Sequence, residues 1–194
     1  MLSGGAILSR YPLSDHEVTL LNKPASSPWW YNLFYLHRYF QKVTVEVGNK
    51  KFNVINLHLE AFDKDNRMDQ IRDLVQKIKD EDIDFVAGDF NMLPTSAAKR
   101  SKFFNDDDYE NDQSFDLMTE SGLLEVVPDE IYVKDESLFF TFPAWAPDRR
   151  LDYIFYKTGH KMMKAEVLPS ALSDHLPLRA SFQIDSPRIN PYSQ

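Results

Sequence analysis

Strand-like and helix-like stretches of this chain differ in the spacing of their apolar residues. Val43, Val45 and Val47 alternate with polar neighbours, the two-residue period of a half-buried strand. Gly48-Asn49 supplies a tight turn, and Lys51 to Leu59 (KFNVINLHL) reads as the returning strand of a hairpin. From Asp63 to Lys79 the period lengthens, and Met68, Ile71, Leu74, Val75 and Ile78 share one helical face, with Asp65 or Asn66 as N-cap. Ile83 to Ala87 (IDFVA) is a short apolar run ending at Gly88, the pattern of a buried strand. Further strands are expected at Gly5–Ser9, Phe139–Phe142, Leu151–Tyr156, Met162–Leu168 and Leu176–Ile184, and a short helix at Ser114–Ser121. The polar stretch from Ser101 to Gln113 reads as a solvated loop, and the end from Asp185 as a frayed tail. No repeat or linker interrupts the pattern, so one domain over 1–185 with a tail over 186–194 is expected. Many short strands and few helices predict an α/β fold with sheet on sheet and helices outside.

Composition narrows the chemistry. The 194 residues include no cysteine, which excludes disulfides and thiolate metal sites and is compatible with a reducing, cytoplasmic setting. No apolar run reaches the length of a membrane span, and no signal-peptide pattern is visible at the start. A net charge of −8 argues against a broad basic footprint for nonspecific nucleic-acid binding, though not against a local basic patch.

Three segments carry candidate chemistry. In Ala87 to Ser96 (AGDFNMLPTS) a strand ends at Gly88 and presents Asp89 and Asn91, which lie on the same side of an extended chain. The acid can bind a metal or take a proton from water, and the amide can donate to a phosphoryl oxygen; the bland reading is an Asp-x-Asn turn. In Arg150 to Tyr156 (RLDYIFY), Asp152 stands among strand formers, where an acid needs a cation or a histidine unless it reaches solvent. In Ser173 to Pro177 (SDHLP), Asp174 and His175 point to opposite sides, which suits two jobs; alone, the pair reads as a loop.

Taken in order, these segments resemble the endonuclease/exonuclease/phosphatase superfamily, with its deoxyribonuclease I-like fold. Supporting matches are GGAILSRYPL from Gly4, NLHLE at Asn56–Glu60 and TFPAWAPDRRLDYIF at Thr141–Phe155, so the resemblance runs from Gly4 to about Ile184. It implies a four-layer sandwich of two mixed sheets with outer helices, and hydrolysis of phosphate esters with a divalent cation, magnesium or manganese. It also implies roles: Asp89 for the attacking water, Asn91 for the phosphate or transition state, Asp174 for metal coordination, and His175, kept basic by Asp152, for the scissile phosphate. Asp89 and Asn91 are metal candidates as well. His58 is similar to a second phosphate-facing histidine, against the plainer reading of a satisfied core histidine. Arg67 and Gln70 read chiefly as braces beneath the site. The aromatic run Pro28 to Phe40 reads as packing, with a platform for lipid or base as the sharper option.

The family domain normally opens with an Asn-bearing strand and then a metal-binding Glu, and neither precedes Gly4; Glu17 and Glu60 do not stand in that context. The expectation is therefore a domain short of its first quarter to third. The alternative to a working hydrolase is an impaired fragment or a non-catalytic binding module. The substrate stays open among nucleic acid, phospholipid and small phosphoester.

Overall fold

The computed structural model describes residues 5–24, 37–105 and 107–184. Strands β1 (Leu13–Leu20), β2 (Tyr39–Val47), β3 (Lys50–His58), β4 (Phe85–Asp89), β5 (Leu124–Glu125) and β6 (Asp152–Tyr156) form a six-stranded sheet in the order β1-β2-β3-β4-β6-β5. It is mixed: β3 and β4 run parallel, and the other pairs run antiparallel. A parallel pair needs a crossover, and helix α1 (Lys64–Asp80) supplies it. Its buried Ile71, Leu74, Val75 and Ile78 pack on Ile55, Leu57, Val86, Tyr153 and Phe155 of the sheet, with Met118 of α2 (Ser114–Thr119) beside them. Leu74 is fully enclosed, so Leu74→Ala would cost about 2–5 kcal/mol.

After the four-residue helix α3 (Asp129–Tyr132), strands β7 (Lys161–Val167) and β8 (Leu178–Gln183) form a second, antiparallel sheet. Met162, Ala165, Leu178, Ala180 and Phe182 of that pair pack with Ile154 and Tyr156, on the face of the large sheet turned away from α1. The expected α/β sandwich is thus present: helices, a large mixed sheet, then a second sheet. Among the described residues no helix is long and apolar enough to cross a membrane.

Several local expectations change. Helix α1 is capped by Asp63, whose side chain accepts from Asn66 N at 2.9 Å, because the helix starts ahead of Asp65 and Asn66. The Ser101–Gln113 stretch is not simply solvated: Phe103, Tyr109 and Asp112 are buried. Phe139–Phe142 is not a strand; a 3-10 turn covers Glu136–Phe139, and Phe142 forms one isolated bridge to Arg149. No strand covers Gly5–Ser9; the first among the described residues is β1, whose mostly exposed LSDHEVTL carries an irregularity near Asp15 instead of clean alternation. Residues 28–36 of the aromatic run and the tail lie outside the described residues, while Phe40 sits in the core.

Candidate active site

Strand register builds the site before any loop takes part. Tyr39 lies opposite His58, His58 beside Asp89, and Asp89 opposite Asp152. Cross-strand partners share a face, and the neighbouring Leu57 and Tyr153 point into the α1 core. His58, Asp89 and Asp152 therefore project together on the opposite face, at the end of β4. Gly88 permits the close approach of β3 and β4 there. It has φ 147°, and a Cβ at that position would meet Leu57 O at 2.1 Å.

His175 completes the row from the loop before β8. Two backbone bonds fix that loop: Leu176 N donates to Thr141 O and Ala144 N to Asp174 O, each at 2.7 Å. Thr141 Oγ1 in turn accepts from Leu151 N at 3.1 Å and Asp152 N at 3.3 Å, tying the same loop to the start of β6. The His175 ring lies against Phe142, with centroids 4.8 Å apart. Its Nδ1 is 2.7 Å from Asp152 Oδ2, and its Nε2 is 3.8 Å from Asp89 Oδ2.

Asn91 adopts φ 49°, a left-handed conformation that Asn tolerates better than most residues. Its backbone N–H donates to Asp89 Oδ1 at 2.9 Å, and its Nδ2 donates to Leu59 O at 3.1 Å and Asp89 Oδ2 at 3.2 Å. The amide thus orients Asp89. Asp174 lies beside the row with an exposed side chain, its Oδ1 accepting from Ser173 Oγ at 3.2 Å.

Beneath the row lies a buried brace. Arg67 Nη1 donates to Glu60 O at 2.7 Å, and Gln70 Oε1 accepts from Glu60 N at 2.9 Å. Leu59 N donates to Asp89 O at 2.9 Å, so the brace reaches the site through two adjacent residues. Arg67 is compensated by Asp112 at 2.8 Å, both almost wholly buried. Both Arg67 and Gln70 spend their polar atoms on this scaffold. Asp112 has no local signature, since its partner is 45 residues away. The sequence reading also missed Arg38, whose Nη1 is 2.8 Å from His58 Nε2.

These contacts set the charge states. Burial and the neighbouring Asp152 push the Asp89 carboxyl up to about 7, against the pull of His175 and the Asn91 N–H. Burial works against a charged His175, yet the Asp152 hydrogen bond and the surrounding acids outweigh it and raise the ring above its ordinary value. Burial and the Arg38 charge take His58 down to about 4. Among the described residues, Asp89, Asp152 and His175 bring potential ligand atoms within 4.8 Å of one another. Two hard carboxylates held that close fit a divalent cation, which would offset the burial and repulsion that raise Asp89.

A family model described as the Endonuclease/Exonuclease/phosphatase family matches residues 1–175. The chain belongs to this family. No curated protein matches the sequence. Among solved structures, a mannosyl-6-phosphatase of Bacteroides thetaiotaomicron is 18% identical with a TM-score of 0.62, the match covering 90% of this chain and 67% of that one. Truncated TDP2 of Caenorhabditis elegans is 18% identical at a TM-score of 0.57, covering 89% and 66%. Sphingomyelinase C of Streptomyces griseocarneus is 18% identical at 0.54, covering 89% and 65%. The chain thus spans about two thirds of the length of these structures, and at this identity the likeness shows the fold. The row at the end of β4 is where the segments Asn56–Glu60, Gly88–Asn91 and Leu151–Tyr156 converge.

Proposed function

We propose that this chain hydrolyses phosphate esters with a divalent cation, magnesium or manganese, held at the end of β4. The family is one of phosphoester hydrolases, and its structural neighbours here include a mannosyl-6-phosphatase and a sphingomyelinase C. The observation that carries the reading is the convergence of Asp89, Asp152 and His175 within 4.8 Å on one face. Asp89, Asp152 and the exposed Asp174 are the residues that would hold the cation. When bound, it supplies charge neutralisation at the phosphoryl oxygens.

The chain's own groups divide the remaining work. Asp89, with Oδ2 facing both His58 and His175, accepts the proton of the attacking water. Asn91 fixes both oxygens of that acid. Asp152 takes the Nδ1 proton of His175 as its hydrogen-bond partner, which leaves Nε2 turned toward Asp89 to donate to a phosphate oxygen. His58, 3.4 Å from Asp89 Oδ2, lines the far side of the same position.

Hydrolysis of p-nitrophenyl phosphate and of bis-p-nitrophenyl phosphate, with magnesium, with manganese and with a chelator, tests this directly. Turnover that the chelator removes and either cation restores is expected. Turnover indifferent to the chelator, or none on either ester, would overturn the proposal.

A further inference from the structure

We propose that Arg38 is a substrate-binding cation, and that the cavity it lines takes the terminal phosphate of a phosphomonoester. The inference rests on the phosphoester reading above and names its substrate class.

Arg38 immediately precedes β2, held there by its carbonyl, which accepts from Leu21 N at 3.0 Å. It is 7% exposed and lines a cavity of about 280 Å³ together with Gly5, Tyr39, Asn56, His58 and Asp89. The cavity is continuous with the catalytic row, because His58 and Asp89 belong to both.

Its partnering sets Arg38 apart. Arg67 is neutralised by Asp112, Arg149 by Asp107 and Asp148, and Arg150 by Glu125, each of these arginines 1% exposed at its side chain. Arg38 meets an imidazole instead, 2.8 Å from His58 Nε2, and among the described residues it forms no ion pair with a carboxylate; its buried Nε has no hydrogen-bond partner there, a feature it shares with Arg149 and Arg150. A guanidinium only donates, so His58 must offer its lone pair and cannot serve as the counter-charge. Asp89 lies across the same cavity and feels the Arg38 charge without pairing with it directly. A cation withdrawn from water with no direct ion pair is costly, and a bound anion reduces that cost. The planar fork of Arg matches phosphate oxygens, and the adjoining row is the place where a phosphoryl group would react.

The geometry also selects the ester. His175 Nε2 lies 3.8 Å from Asp89 Oδ2, Arg38 reaches the same acid's surroundings past His58, and a cation held by Asp89 and Asp152 would add a third electropositive group. A monoester presents an unesterified oxygen to each. A diester has only two, so one donor would face an esterified oxygen and stay unpaired, which is a strong basis for discrimination.

Binding, read without turnover, tests this: titration of inorganic phosphate and of dimethyl phosphate into the full chain with magnesium, followed by phosphorus NMR. Phosphate should bind at least about tenfold more tightly than dimethyl phosphate, and Arg38→Gln should erase most of that preference. Guanidinium added to Arg38→Ala should restore phosphate affinity, a rescue that a merely structural role would not show. Should Arg38→Gln fail to fold, Arg38→Lys decides, because a point charge without the fork should also lose much of the preference. Unchanged phosphate affinity in a folded Arg38 variant, or equal binding of both anions, would overturn the proposal. A chain that binds phosphate through Arg38 yet hydrolyses nothing would support this inference and remove the hydrolase reading, so the two fail separately.

Discussion

The large sheet carries a histidine–aspartate contact at each end, and the two make an instructive pair. His175 and Asp152 meet at 2.7 Å beside the end of β4; His160 and Asp84 meet at 2.8 Å near its beginning. The histidine side chains are equally enclosed, at 23% exposure. What differs is the company. Asp84 spends its second oxygen on Asn53 N at 2.8 Å, and its backbone ties β3 to the segment after β6. His160 stacks on Phe85 with centroids 4.9 Å apart. Both oxygens of Asp84 are thus committed, one to β3 and one to His160. Around His175, by contrast, a second carboxylate, Asp89, lies close to the first, and burial together with that neighbour pushes it up to about 7. A His–Asp contact is thus a staple in one setting and, on the function proposed above, part of a reactive centre in the other. Crowding of like charge is what separates them.

The largest expected difference between the ends is in turnover. Asp89→Asn removes the proton acceptor and should cut hydrolysis of p-nitrophenyl phosphate by at least about a hundredfold. Asp84→Asn should leave it within about twofold, since the carboxylate has no path to substrate. Comparable losses in both variants, with folded spectra, would erase the functional distinction between the two pairs.

A second effect concerns pH. Asp152 raises Asp89 by repulsion and raises His175 through its hydrogen bond and charge. Asp152→Asn removes both influences, so both values should fall. Activity needs Asp89 deprotonated, and the acidic limb of the rate profile should therefore move to lower pH. The lowered His175 value should appear independently in its NMR titration. Linkage gives the matching sign in stability. A raised histidine stabilises the fold fully below its unfolded value and loses that contribution as pH rises through the folded one, so the variant should lose more stability at pH 6 than at pH 9. A limb that stays in place would count against the Asp152–Asp89 coupling, and an unshifted His175 titration against the Asp152–His175 pair.

How much of this was legible beforehand depends on the range of each interaction. The β2–β3 hairpin and α1 were readable because their signals are local: alternation around Gly48-Asn49, and a helical stripe from Met68 to Ile78. The site segments were readable because strand ends concentrate their polar residues within a few positions, at Asp89-Phe90-Asn91 and Asp174-His175. Strand β1 was missed because, largely exposed and irregular, it lacks a buried face to enforce alternation. Arg38 hid in an aromatic run, and its significance depends on His58, 20 residues away. Asp112 looked like one more acid in a solvated loop, since nothing near it marks Arg67 as its partner. Pairings closed by the fold leave no periodic trace.

The smallest expected effect is the sharpest test of the far-end pair as a pure staple. His160 contacts Phe85 at 4.9 Å and Phe52 at 5.7 Å, and its Nε2 bonds Asp84. An aromatic contact of this kind contributes about 0.5–1.5 kcal/mol beyond area burial. The hydrogen bond adds a similar net amount, about 1 kcal/mol. His160→Ala should therefore lower unfolding free energy by roughly 1–3 kcal/mol, since the position is only partly enclosed and the ring's removal admits water. Its turnover per folded molecule should match that of the unaltered chain, because β4 separates the two ends and the register at Asp89 is fixed by β3 and β6 together. The paired measurement is chemical denaturation alongside hydrolysis at a temperature well below the transition. Lost turnover in a fully folded His160→Ala chain would mean that strain passes along β4 to the row, and the two ends would have to be treated as one coupled unit.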